Sequence, residues 1–247
     1  MNMRVLTVVT LLFIGLPGAL IAQDVELITD RPDFTESPVV VPQGSIQVEL
    51  GGTAESSNSF TTIALGETLV RYGIFKSLEL RLGAPSRISG DVDDAGFNDA
   101  SIGLKWELGS IGETWDVGLI GIVSLPTGDE DFTSDAIDPS FILAAGGQLT
   151  DKISLGTQVQ GLYGTSNDDR FFDWGGTVVL GLPLTEKLSG FAELAFTIPE
   201  EGSTQTVVHG GLTLAVDRLG QIDIHGGVGV TDAAPDSFFG AGFSFRR

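Results

Sequence analysis

The chain has 247 residues, no cysteine, 34 glycines and a formal net charge of −20. That length suits one or two domains, and a hydrophobic content of 42% excludes a mainly disordered acidic chain. With 33 acidic against 13 basic residues, nucleic-acid binding is disfavoured, and the missing cysteines leave no disulfide framework and no thiolate metal site.

Residues 1–22 read as a secretory signal peptide. Arg4 supplies the basic start, Val5 to Ile14 the apolar core, and Pro17-Gly18 breaks the helix ahead of cleavage after Ala22. That core is short against the roughly 20 residues a spanning helix needs. No later segment approaches that length without a charge or a turn, so any spanning structure downstream is built from strands.

Residues 23–43 form neither a good strand nor a good helix, because Pro32, Pro38 and Pro42 interrupt both. Asp30, Arg31, Asp33 and Glu36 gather around Phe34. The run Ile28-Thr-Asp-Arg-Pro-Asp-Phe-Thr-Glu-Ser-Pro38, continued by Gln43-Gly-Ser-Ile-Gln-Val-Glu-Leu-Gly51, resembles the start of a bacterial outer-membrane family. That family is described as transporters linked to the meta-pathway of phenol degradation. The resemblance is specific over residues 28–52 and architectural over the remainder. It implies an outer-membrane β-barrel with an uptake role for small, hydrophobic or aromatic solutes. Residues 23–43 then either tether the first strand on the periplasmic side or occlude the lumen.

From residue 45 onward apolar and polar residues alternate, and strands are predicted near 45–54, 60–73, 77–86, 97–108, 113–125, 139–149, 152–164, 170–182, 187–198, 204–216, 221–230 and 237–246. Leu78, Leu80 and Leu82 alternate with Glu79 and Arg81; Ile102, Leu104 and Trp106 alternate with Gly103, Lys105 and Glu107. A barrel strand needs about 9–11 residues tilted across the bilayer, apolar side outward. The predicted fold is therefore all-β: a transmembrane antiparallel up-and-down barrel of about twelve strands over residues 44–247.

The connections sort by parity. After even-numbered strands they are tight, as at Phe75-Lys76 and Thr150-Asp-Lys152; after odd-numbered strands they are mostly longer and acidic, as at Asp91-Val-Asp-Asp94 and Asp129-Glu-Asp131. Short periplasmic turns and longer extracellular loops are the rule for outer-membrane barrels, and an even strand count puts both termini in the periplasm. The last strand ends Phe243-Ser-Phe245 before Arg246-Arg247, similar to the terminal aromatic that barrel-assembly machinery recognises. Trp106, Trp115, Tyr163 and Trp174 suit interfacial girdles.

The inward face is predicted to carry Glu49, Glu67, Arg71, Glu79, Arg81, Lys105, Glu107, Gln158, Gln160, Glu193, His209, Asp223 and His225. Arg71 and Glu79 are symmetric about the turn at Phe75, and Glu193 and His209 about residues 198–203, so each pair is expected to face across its hairpin. Lysine at the inward positions Gly103 or Gly227 is expected to be tolerated, whereas arginine on the lipid face is not. His209 and His225 permit a His–carboxylate pair, but no serine nucleophile accompanies them, so no enzymatic activity is predicted. The acidic loops lack an EF-hand pattern, and neither a metal nor a cofactor is predicted. The expected function is passive passage of small solutes, with a filled, non-transporting structural or surface-binding barrel as the alternative. Expected partners are outer-membrane lipids, a small solute and the assembly machinery during biogenesis.

Overall fold

The computed structural model describes residues 27–58, 60–91, 95–112 and 114–247; the predicted signal peptide, and Val92, Asp93 and Asp94 of one acidic loop, lie outside them. In chain order the strands are β1 (Ile46–Ser57), β2 (Phe60–Phe75), β3 (Leu78–Ala84), β4 (Arg87–Gly90), β5 (Gly96–Phe97), β6 (Ala100–Ile111) and β7 (Trp115–Leu125). They continue as β8 (Asp138–Thr150), β9 (Ile153–Ser166), β10 (Asp169–Pro183), β11 (Leu188–Ile198), β12 (Gln205–Asp217), β13 (Gly220–Gly229) and β14 (Ser237–Arg246). All pairings between named strands are antiparallel, and β1 closes onto β14 from Gln47 opposite Arg246 to Ser56 opposite Ser237.

β3 and β4 both lie along β2 and form one barrel strand interrupted at Pro85-Ser86; β5 and β6 form another, interrupted at Asn98-Asp99. The fourteen segments thus make a closed barrel of twelve strands. The interruption has a local cause. Pro85 has no N–H to give to the ladder, and the Asn98 side chain bridges the gap by accepting from Ser86 N–H at 2.6 Å. Alternation predicts a loop between the strands near 77–86 and 97–108, whereas β4 and β5 extend the wall into that stretch.

Alternation puts the chain inside out relative to a soluble protein. Leu104 and Ile224 are 47% and 49% exposed, while Arg71, Glu79 and Lys105 are fully buried. An apolar belt of this extent around a polar interior is stable only in hydrocarbon, since water would penalise the outer face. Inside, the buried apolar side chains are few: a patch of Ile120, Ile142 and Ala144, with Ile122 against it, besides Val40, Val41, Val179 and Phe238.

Both described ends of the wall meet at one rim, where Ile46 and Arg247 exchange backbone hydrogen bonds of 2.9 and 2.8 Å. The turns at this rim are short. At the opposite rim the connection between β7 and β8 covers residues 126–137, but that at 167–168 is a two-residue hairpin. Asn167 and Asp168 both take positive φ, 50° and 69°, the conformation of a tight hairpin whose twist matches the strands. Loop length therefore follows parity only in part.

Candidate functional site: the lumen and its internal segment

Residues 28–42 cross the barrel interior. With three prolines this segment cannot pair as a strand, yet its backbone N–H groups need acceptors once removed from water. The wall supplies them from inward-facing side chains. Glu49 accepts from Asp30 N–H and Arg31 N–H at 3.0 and 2.9 Å. Glu193 accepts from Phe34 N–H at 2.9 Å, Gln158 from Glu36 N–H at 2.7 Å, and Glu79 from Val41 N–H at 2.8 Å. A longer bond runs from Val40 N–H to Glu107 at 3.3 Å. Where the segment's backbone presses against the wall, the wall has no side chain: a Cβ at Gly73 would collide with the Val41 and Pro42 carbonyls, and one at Gly118 with Pro38.

The charged side chains form one buried network. Asp30 takes Arg71 Nη1 at 3.1 Å, Arg81 Nη1 at 2.6 Å and Lys105 Nζ at 2.8 Å. Glu36 binds Arg81 Nη2 through both oxygens, at 2.8 and 2.9 Å. On the wall itself Arg71 also holds Glu49 and Glu79, at 3.0 and 2.8 Å. Arg31 points the other way, to Asp223 at 3.2 Å and Glu67 at 3.4 Å. Charges this far from water are stable only when paired and hydrogen-bonded, and the convergence of three cations on Asp30 meets that condition.

A second polar chain runs through Glu193, His209 and His225. His209 Nδ1 lies 2.7 Å from Glu193 Oε2, and His209 Nε2 lies 2.9 Å from His225 Nδ1. Its far end, His225 Nε2, is buried with no hydrogen-bond partner among the described residues. Phe34 of the internal segment packs over this chain, its ring centroid 4.4 Å from that of His209 and 5.5 Å from that of Phe238.

Every predicted inward residue lies in or beside these networks. Gln160 accepts from Gln158 Nε2 at 2.9 Å; Glu67, Glu107 and Gln160 are half-buried and the other ten are buried. Glu193 stands directly opposite His209, as the hairpin symmetry predicts. The corresponding prediction for Arg71 needs correction. A register shift between Gly73 and Phe75 sets Arg71 opposite Arg81 and Glu79 opposite Gly73, so the Arg71–Glu79 ion pair is diagonal. The expected tolerance of lysine at Gly103 and Gly227 is also overturned. A Cβ at Gly103 would lie 2.7 Å from the Gly121 carbonyl, and one at Gly227 would collide with the Phe238 ring.

Sequence reasoning placed Asp30 and Glu36 near each other but did not bring them to the wall cations. It also passed over Gln47, Thr177 and Ser244, all buried. Gln47 shares the face of Glu49 by simple alternation, so periodicity could have found it. Thr35 Oγ1 donates to Glu193 Oε1 at 2.6 Å beside Thr177, a contact that no local pattern announces.

The segment separates two cavities. One, of about 590 Å³, lies at the rim that carries the termini and is lined by Leu27, Lys187, Asp217 and Gln221. The other, of about 560 Å³, lies toward the opposite rim and is lined by Phe34, Glu36, Glu55, Gln160, His225 and Phe238. Among the described residues no cluster of three or more His, Asp or Glu side chains is arranged to hold a metal ion.

Solved barrels share this architecture. An outer membrane channel from Pseudomonas putida F1 superposes with a TM-score of 0.69 at 12% identity, covering 85% of this chain and 98% of that one. The NanC porin gives 0.60 at 8% identity over 80% of this chain and 98% of its own, and the KdgM porin 0.56 at 8% over 81% and 98%. At these identities the likeness is one of fold, and it sets the chain among the barrels of the bacterial outer membrane. No curated protein matches the chain. The family model described as "MetA-pathway of phenol degradation" matches residues 29–246, which takes in the internal segment as well as the wall, and the chain belongs to that family.

Proposed function

We propose that the barrel is a passage for small solutes across the outer membrane, closed at mid-depth by residues 28–42 in the conformation described. The observation that carries this reading is the pair of cavities, about 560 and 590 Å³, on either side of a segment attached to the wall largely through side chains. Its backbone joins the sheet only near its C-terminal end, by the bridge between Gln43 and Gly73 and the hydrogen bonds beside it. A segment held in this way can move without unpairing a wall strand. The family's description supports small aromatic compounds among the solutes, and the lipid belt supports membrane lipid as the surrounding partner. No catalytic step is read into the Glu193–His209–His225 chain.

The second reading, a filled barrel with a structural or surface-binding role, draws on the density of ionic contacts around Asp30 and Glu36. Conductance separates the two. In a planar bilayer the full chain should show discrete openings, and Asp30→Asn combined with Glu36→Gln should raise the fraction of time spent open. Silence from both proteins, correctly folded and inserted, would leave the filled barrel as the better account.

A further inference from the structure

The cavity toward the loop-rich rim has a chemical character of its own. Three of its carboxylates differ in how they are balanced. Glu36 is held by Arg81 at 2.8 Å, and Glu67 by Arg31 at 3.4 Å. Glu55 accepts only a long hydrogen bond from Ser57 Oγ, 3.4 Å, and has no cationic partner among the described residues. It stands directly opposite Phe238 on β14, so their Cβ atoms are about 4.5–5.5 Å apart. Phe238 is 8% exposed, and Phe34 beside it presents 43% of its surface.

His225 provides the second, independent observation. The residue is 6% exposed and lines this cavity, and its Nε2 is the unpartnered end of the Glu193–His209–His225 chain. The order of protons follows from the geometry. With Glu193 ionised and both imidazoles neutral, His209 donates from Nδ1 to Glu193 and accepts at Nε2 from His225 Nδ1–H. His225 Nε2 is then left with a lone pair, an acceptor that wants a donor. It sits over Gly240, which pairs across the seam with Thr53, two residues along β1 from Glu55. Two residues on a strand span about 7 Å, so His225 and Glu55 stand on neighbouring parts of the wall of the same cavity.

We propose that this cavity binds a small aromatic ammonium ion, its N–H donors shared between His225 Nε2 and Glu55 and its ring against Phe34 and Phe238. The charge is matched by Glu55, and the aromatic rings add cation–π attraction and apolar contact. A carboxylate ligand would meet Glu55 with the wrong sign, and a neutral alcohol would leave that charge unanswered. The inference rests on the passage reading for its biological sense, because it names the class of solute the outer mouth would gather.

Benzylamine is the probe, with benzoate and benzyl alcohol as comparators, measured by calorimetry on the purified full chain in detergent. Benzylamine should bind at least about tenfold more tightly than either comparator. Glu55→Gln should remove that preference while leaving the heat-dependent gel shift of the folded barrel unchanged. Benzyltrimethylammonium keeps the charge but has no N–H donors, and it should bind more weakly than benzylamine to the parent and equally to His225→Phe. Equal affinity for benzylamine and benzyl alcohol, or a preference that survives Glu55→Gln, would overturn the site. If His225→Phe does not fold, the ratio of benzylamine to benzyltrimethylammonium in the parent decides the histidine's role, and a ratio of one removes it. Conductance is read separately. Binding without conductance sinks the passage and keeps the site, and conductance without selective binding does the reverse.

Discussion

Lys105 Nζ lies 2.8 Å from Asp30 Oδ1 and 3.0 Å from Oδ2, joining a wall strand to the internal segment across 75 residues of sequence. Both ion-pair partners of Lys105 among the described residues, Asp30 and Glu36, belong to that segment. A cation on the wall is thus neutralised from inside the lumen, and the position of the segment is written into the wall's own charge balance.

Asp30→Asn therefore strands buried positive charge. Removing one partner of a buried pair costs about 3–5 kcal/mol, and the thermal midpoint of the variant should fall accordingly. Adding Lys105→Met should recover part of the loss, because the unpaired charge leaves with it. A double variant no better than Asp30→Asn alone would mean that the cluster is not coupled through Lys105.

The lipid face gives a second test. Arginine at Leu104 or Ile224 should cost about 2–4 kcal/mol near the bilayer midplane. Lysine at Thr197, which borders the cavity toward the loop-rich rim, should be far milder. Equal sensitivity at the two kinds of position, read from urea unfolding in liposomes, would contradict a lipid-facing belt.

Topology is open to tagging. A protease-cleavable tag at Asp131, in the long 126–137 connection, should be accessible on intact cells, and one at Asp151, in the tight turn after β8, only once the outer membrane is opened. Surface cleavage at Asp151 would invert the assignment.

Ion preference follows from charge placement. Without residues 1–22 the chain has 12 Lys and Arg against 33 Asp and Glu, and much of the acidic excess lies in the loop-rich rim. Acidic mouths concentrate cations, so the reversal potential under a salt gradient should report cation preference. That preference should weaken as the Debye length shortens from about 10 Å at 0.1 M to about 3 Å at 1 M. Neutralising Glu130 and Asp131 should weaken it further. Asp129 is better left intact, since its carboxylate accepts Phe97 N–H at 2.8 Å and so anchors β5. An anion-preferring current would sink the charge argument.

The long connection also carries a pH dependence. Partial burial pushes the Asp99 carboxyl up, but the N–H groups of Gly128, Ser134 and Thr127, with the Thr133 hydroxyl, outweigh it and hold the group below the usual carboxylate range. A depressed folded pKa contributes stability that is present above the unfolded value, about 3.9, and is lost as pH falls through the folded value. Pepsin cleavage within residues 126–137, taken relative to an unstructured control peptide at the same pH, should therefore stay low near about pH 5 and rise as the pH falls below about 3.9. Asp99→Ala should show the high cleavage at both, and an identical pH profile in parent and variant would show that Asp99 does not fasten the loop.

Much of the wall was legible because alternation is a local property. Leu80 and Glu79, or Leu104 and Lys105, declare their faces by neighbours alone, and the twelve-strand count follows from repeating that test. What local pattern does not hold is register and closure. The shift between Gly73 and Phe75 changes which residue faces Arg71, and nothing in the hairpin's symmetry reveals it. Asp30 could be seen as charged and proline-bound, but its three cations come from β2, β3 and β6 and meet only when the sheet curls. Pro85 lies inside the strand predicted near 77–86, and both the break it makes and the Asn98 side chain that bridges it are recognisable only in three dimensions.

The position of the internal segment in the chain has a consequence for biogenesis. It immediately precedes β1, while its partners extend to Asp223 on β13, 192 residues away from Arg31. Once β1 and β14 zip together, a segment left outside would have to enter through a rim already narrowed by paired strands. The simplest order of events is that residues 28–42 are in place before the seam shuts, and that the growing sheet wraps around them. In that order the segment's carboxylates are already at hand when the wall cations converge on them. A wall closing without it would leave Lys105 without Asp30 and Glu36, and Arg71 and Arg81 with only Glu49 and Glu79 from the wall itself.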